Sequence, residues 1–328
     1  MVAHSPENEP PSRAFLTAGD VGRNRFAGIV TYQDALAAGL TPAAIRHRVA
    51  SGRWIVLRRG VFADAAAAAA ADPHRLAVAA ALATMADGAV ASHASAAHIL
   101  GLLTIRPVGP ITWLTRPPTS RHGTHRHFGV LERAAPLPPG HVTVIDGIAT
   151  TSIARTVVDL ARLWPFGEGL AIADAALHDR RTTLRALAAV ADRCENWPGI
   201  ARATRVLTLA DAAAESALES LSRAMFADYG LPMPQLQVNI RANGRHLGRG
   251  DFLWMPSKVI GEADGRGKYQ DPTDLWNEKL REDRLRDAGF EVVRWIWDDV
   301  VLRPGQTVER IKAAILRAEA RLGGAAHP

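Results

Sequence analysis

The chain has 328 residues, a formal net charge of +6, 48% hydrophobic residues and 22% charged ones. That balance excludes a collagen-like or wholly disordered chain, and the length suits two or three domains, each with its own core. The single cysteine, Cys194, rules out a disulfide framework, no Cys/His spacing suggests zinc, and no stretch of roughly 18 apolar residues free of charge reads as a membrane span.

Residues 1–13, with Pro6, Glu7, Asn8, Glu9, Pro10 and Pro11, read as a disordered tail without an apolar signal core, so a cytoplasmic location is expected. A compact unit is expected over residues 14–64. Thr31 is a helix N-cap before Tyr32 to Ala38, with a stop at Gly39. Thr41 and Pro42 start a second helix, Ala43 to Ala50, which turns Ile45 and Val49 inward and ends at Gly52. Trp54 to Leu57 and Gly60 to Phe62 then form a hairpin around Arg58 and Arg59. Helix, turn, basic helix and basic hairpin spell a winged helix-turn-helix. No acid lies between Thr41 and Phe62, so Arg46, Arg48, Arg53, Arg58 and Arg59 are expected to face phosphates or base edges of double-stranded DNA. The alternative is a solvated basic helix in a small protein-binding domain.

The run GIVTYQDALAAGLTPAAIRHRVASGRWIVLRRGVFA resembles the N-terminal domain of AbiE-type antitoxins, the type IV toxin–antitoxin family. The resemblance implies a winged helix that binds promoter DNA and represses its own operon, with a toxin protein and a second copy of the chain as further partners.

An α+β middle domain is expected over residues 72–206. Ala65 to Ala71 is a helical or linking alanine run. Asp72 and Pro73 cap a helix from His74 to Ala86, and Ser92 starts another that closes at Gly101. Ile111 to Thr115 and Val142 to Ile145 read as strands, and Asp146-Gly147 turns the second of these into Ile148 to Thr150. A helix follows from Thr151. The runs SHASAA and TSIART are similar to those of the same antitoxin-like proteins. His122, His125 and His127 read as loop residues. Ser92, His93 and Asp159 invite a hydrolase reading, but no nucleophile elbow is present and helix capping accounts for the serine. Residues 165–205 read as Ala/Leu/Arg-rich helices without a chemical signal.

From residue 207 to the end an α/β domain is expected, in the order helix, three strands, helix, strand, helix. The first helix is read from Asp211 to Tyr229 and the first strand from Gln235 to Ile240. Asp251 opens the second strand, Met255-Pro256-Ser257 turns, and Lys258 to Asp264 is the third. Glu262 and Asp264 stand two apart, hence on one face, and a hairpin brings Asp251 beside Glu262. Grouped carboxylates repel unless a cation removes the cost, and oxygen ligands suit Mg²⁺ or Mn²⁺. The bland alternative is a strand end with solvated acids. Leu275, Trp276, Leu280 and Leu285 give a helical stripe, and Glu291 to Trp297 is the last strand.

This segment resembles the PD-(D/E)XK nuclease superfamily, and within it the domains similar to the very-short-patch-repair endonuclease. The resemblance rests on ESALESLSR, EADGRGKY and NEKLREDRLRDAGFEVVRW. It implies an αβββαβ core, Glu219 as the first-helix acid, Asp251 and Glu262 as the motif acids, and a metal-bound phosphodiester site. The motif lysine is expected at position 264, where this chain has Asp264. Lys268, on a glycine-flexible loop, or Lys279, on the following helix, is the candidate to replace its charge, and Lys279 is favoured. Its bland alternative is a surface lysine paired with Asp283.

Two functions follow. One is a metal-dependent DNA endonuclease guided by a winged helix; the other is a transcriptional autorepressor or antitoxin whose nuclease fold only binds. The three acids favour the first, and the absent lysine favours the second.

Overall fold

The computed structural model describes residues 28–85, 88–118, 124–127, 129–265 and 272–324, with backbone alone for 124, 125, 127, 272–278, 323 and 324. The tail expected at 1–13, His122 and Lys268 lie outside these residues, and the side chains of Leu275 and Trp276 are not among those described. Three sheets and thirteen helices among the described residues make a mixed α+β protein. The chain forms two compact units. One runs to Gly101 and takes up Val108–Thr156; the other takes Leu102–Pro107 and continues from Val157. Residues 72–206, expected as one middle domain, are therefore divided between the units.

The first unit begins with β1 (Ile29–Thr31), α1 (Tyr32–Ala37), α2 (Pro42–Ala50), β2 (Trp54–Arg58) and β3 (Val61–Asp64). Both helix starts are fixed by their caps. The Thr31 hydroxyl accepts the Asp34 N–H at 3.0 Å while the Asp34 carboxylate accepts the Thr31 N–H at 3.2 Å. Thr41 accepts the Ala44 N–H at 3.1 Å, with Pro42 at the first helical position. The strands pair in the order β1-β3-β2, all antiparallel, and the turn between β2 and β3 uses Gly60 at φ 75. Ala35, Ile45, Trp54 and Phe62 are the buried core of this part, with Val49 packed against them. The inward placement of Ile45 and Val49 expected from their spacing is thus observed.

Next come α3 (Ala65–Ala70), α4 (Pro73–Leu82), β4 (Val90–Ala91), α5 (His93–Leu100), β5 (Thr112–Arg116), β6 (Thr124–His127), β7 (Val130–Ala134), β8 (Val142–Ile145) and β9 (Ile148–Thr151). The strands form a six-stranded sheet in the order β6-β7-β5-β4-β9-β8, with β4–β9 and β5–β7 parallel. His125 and His127, expected in a loop, belong to β6, which pairs antiparallel with β7. Asp146 and Gly147, at φ 49 and 79, make the tight β8–β9 turn that their sequence foretells.

α6 (Ile153–Leu163) leads into the second unit, with α7 (Phe166–His178), α8 (Leu184–Arg193), α9 (Ile200–Leu209) and α10 (Ala217–Asp228). A buried ion pair ties α7 to α10. Asp174 accepts the Arg223 guanidinium at 2.6 Å, the Ser220 hydroxyl at 2.8 Å and the Asp211 N–H at 2.8 Å. The chain continues through β10 (Gln235–Ala242), β11 (Arg245–Trp254), β12 (Val259–Asp264), α11 (Pro272–Asp287), β13 (Glu291–Ile296), α12 (Trp297–Val301) and α13 (Pro304–Gly324). The helix, three-strand, helix, strand order read from the sequence is present. α10 starts six residues after the expected Asp211, because Ser216 is its N-cap and accepts the Glu219 N–H. Asp251 does not open its strand but lies well inside it, since β11 begins at Arg245.

The sheet order is β10-β11-β12-β13, antiparallel up to β12 and parallel between β12 and β13. One face buries Phe226, Phe252, Trp254 and Trp295 together with residues of α13. The Phe226 ring stands 5.4 Å from Phe252, 5.3 Å from Trp254 and 5.7 Å from Trp295. Gly261 belongs to this face. A β-carbon there would sit 2.4 Å from Trp295 and 2.9 Å from Trp254, so only glycine lets the two indoles close over the strand. The other face packs Ile240, Leu253 and Ile260 against Leu285 of α11. Among the described residues no helix is long and apolar enough to cross a membrane.

Candidate functional site

Two places carry the residues singled out by the sequence. The first is the basic part formed by α2 and the β2–β3 hairpin. Arg46 and His47 are exposed on α2, Arg53 is exposed just before β2, and Arg59 is exposed at the hairpin turn. All four face solvent, where a polyanion can reach them. The other two arginines are partly engaged. The Arg48 guanidinium lies over the Trp54 ring, 5.1 Å from its centroid. Arg58 is half-buried on β2, and burial lowers its pKa from the ordinary value. Trp54 itself stacks on Phe62 at 5.6 Å, so the stacked Arg48 stiffens the joint between helix and hairpin.

The second place is a row across the C-terminal sheet. Leu236 faces Phe252 and Val238 faces Gly250, which sets Gln237 opposite Asp251. Phe252 faces Gly261, so one step along the same ladder Asp251 meets Glu262. Glu262 in turn is the partner of Arg294 on the parallel strand β13. Gln237, Asp251, Glu262 and Arg294 therefore lie side by side on four adjacent strands.

Each acid of this row has a defined partner. The Ala263 N–H donates to the Asp251 carboxylate at 2.9 Å. Glu262, only 4% exposed, holds Arg281 of α11 on one oxygen and Arg294 on the other at 3.1 Å. Asp264 accepts Arg294 at 3.3 Å. Glu219 stands at the β10 end of the row. Its carboxylate accepts Gln237 at 2.8 Å, the Ser216 hydroxyl at 2.8 Å and the Glu215 N–H at 3.0 Å, tying it to the start of α10.

Lys279 is exposed on α11, and its expected ion pair with Asp283 is not formed; Asp283 faces Arg286 at 3.5 Å. Among the described residues, Arg281 and Arg294 reach the carboxylates, and neither was a candidate from the sequence. A signal for Arg294 existed. It interrupts the apolar run Val292-Val293-Arg294-Trp295-Ile296, and a helical crossover from β12 sets the next strand parallel beside it.

An Mg²⁺ or Mn²⁺ ion needs several carboxylate oxygens turned to one point. Among the described residues no three His, Cys, Asp or Glu side chains are grouped to hold a metal ion. Glu262 and Asp264 are turned toward guanidinium groups instead, so this arrangement does not fit the ion.

The Ser92 hydroxyl lies 2.9 Å from His93 Nδ1, while Asp159 holds Arg162 at 2.8 Å. Ser92 occupies the N-cap position of α5 without a side-chain cap bond, so its hydroxyl serves the histidine rather than the helix end.

The sequence model of a family described as "Transcriptional regulator, AbiEi antitoxin" matches residues 23–63. Two Mycobacterium tuberculosis proteins, named Uncharacterized protein MT2308 and Uncharacterized protein Rv2248, are each 32% identical over 174 residues, 53% of this chain and 64% of the relative. The chain thus spans less than two thirds of the length of these relatives. The crystal structure of the RV2827C protein from Mycobacterium tuberculosis overlays with a TM-score of 0.40 at 16% identity, covering 67% of this chain and 82% of that one.

Proposed function

We propose that the protein is a DNA-binding transcriptional regulator of the antitoxin kind. In this reading residues 29–64 are a winged helix, α2 is the helix that enters the major groove, and the β2–β3 hairpin is the wing. The observation that carries it is the family match over residues 23–63, which takes in α1, α2 and the hairpin and contains every exposed arginine of the basic part. Arg46 and His47 lie on the exposed side of α2, where base edges are read, and Arg53 and Arg59 flank them at the reach of a phosphate backbone. Repression then follows from occupancy of a promoter, and a toxin protein is the second partner that an antitoxin role requires.

The second unit is read as carrying a restriction-endonuclease-like α/β domain, supported by its helix, three-strand, helix, strand order. Cleavage of DNA with Mg²⁺ or Mn²⁺ is the weaker reading, because Glu262 and Asp264, two of the acids it would use, already hold guanidinium groups.

Gel-shift titrations of the full chain on duplex DNA over a salt series test the proposal. Alanine at both Arg46 and Arg59 is expected to weaken binding and to flatten the log–log salt slope by about 0.9 for each phosphate no longer neutralised. Binding that keeps its native affinity and slope in the double variant would remove the assignment of α2 and the hairpin as the DNA-contacting surface.

A further inference from the structure

A carboxylate as deep in a sheet as Glu262 is costly unless a cation and hydrogen bonds compensate it. Two guanidinium groups do so here, from two different elements. Arg294 comes from the adjacent strand, 3.1 Å from Glu262 and 3.3 Å from Asp264, with Glu282 of α11 at 3.7 Å. Arg281 comes from α11 and is anchored on its way, donating also to the Arg249 carbonyl at 3.4 Å. The strand leaves a lane for it. A β-carbon on Gly248 would lie 3.1 Å from the Arg281 stem and 3.1 Å from its guanidinium, so the glycine, at φ +138, makes the space the arginine fills.

Guanidinium and Mg²⁺ answer the same charge by different means. The guanidinium stays charged at every accessible pH and presents a rigid fork of donors. Mg²⁺ must shed water and gather oxygens at about 2.1 Å. An entering ion would have to expel Arg281 from Glu262 and then lie beside the charge of Arg294. We propose that Arg281 and Arg294 are the resident cations of this centre, and that Arg281, carried in by α11, keeps divalent metal ions out of it. The fold thus retains the acids of a metal site and neutralises them from within.

The test is calorimetric titration of Mn²⁺ into the full chain, with the melting temperature followed in parallel. Native protein is expected to give no saturable heat and no Mn²⁺-dependent rise in melting temperature. Arg281→Met removes the blocking charge while Arg294 still compensates Glu262, and it is expected to bind one Mn²⁺ per chain, on the order of a hundredfold more tightly than native. Adding Glu262→Gln to it should abolish that gain. Arg281→Gln, which keeps a hydrogen-bond donor without the charge, is a second way to the same result should the methionine variant not fold. Native protein that binds one Mn²⁺, lost on Glu262→Gln, would overturn the proposal. So would Arg281 variants with a native circular dichroism spectrum and a cooperative melt that take up no Mn²⁺. None of these readouts depends on DNA binding, so the result stands apart from the regulator reading.

Discussion

Replacing Trp295 with alanine is expected to cost roughly 3–5 kcal/mol and to loosen the whole C-terminal sheet. Trp295 is 1% exposed, stacks on Phe252 at 5.4 Å and meets Phe226 edge-on. Its indole N–H also donates to the Ser222 hydroxyl at 2.8 Å, so truncation opens a cavity and strands a buried acceptor at once. Leu302, 71% exposed, is the control, and its replacement by alanine should change stability by about 0.5 kcal/mol or less. Urea unfolding of the full chain, followed by circular dichroism, separates the two. Equal losses would mean that the aromatic cluster is not what holds the second unit together.

Arg223→Ala is the other substitution expected to be severe, at roughly 3–5 kcal/mol, because it leaves Asp174 buried without its cation. Burial pushes the Asp174 carboxyl up from its ordinary 3.8 to about 6, against the opposing pull of Arg223, the Asp211 N–H and Ser220. A folded-state pKa above the ordinary one means that proton uptake favours folding. The contribution is complete below the ordinary value and is lost as pH rises through about 6. Native stability should therefore decline over that interval, and Asp174→Asn should remove this part of the decline. In Arg223→Ala the penalty should shrink in acid, where the orphaned carboxyl takes a proton. A penalty of the same size at about pH 5 and about pH 8 would show that Asp174 stays ionised without Arg223.

What the sequence made legible was local. Thr31, Thr41, Asp146 and Gly147 act on their own neighbours, so caps and turns could be read directly. The alternation around Glu262 and Asp264 placed both on one face for the same reason. What stayed hidden was set by distant partners. Strand β7 is not legible because Glu132 and Arg133 break its apolar pattern, and both are accommodated only inside the assembled sheet. α10 starts later than its helical pattern suggests because the Ser216 cap overrides that pattern. The cationic partners of the acids are a matter of reach. Lys268 and Lys279 are close in sequence, whereas Arg281 and Arg294 are brought in by a helix face and a strand register that only the packed sheet defines.

The contacts of Glu219 with the Ser216 hydroxyl and the Glu215 N–H, the Ala263 N–H on Asp251 and the paired arginines on Glu262 have a common consequence for how such chains are judged. Each acid has a structural occupation that does not depend on catalysis. Losing any of them would free the Glu215 N–H and the Ser216 hydroxyl, free the Ala263 N–H, or leave Arg281 and Arg294 without the carboxylate they share. Selection for folding alone therefore suffices to keep all three. Intact acids at these positions testify to the fold they hold and not by themselves to a reaction, and variants made there would confuse a broken fold with a lost function.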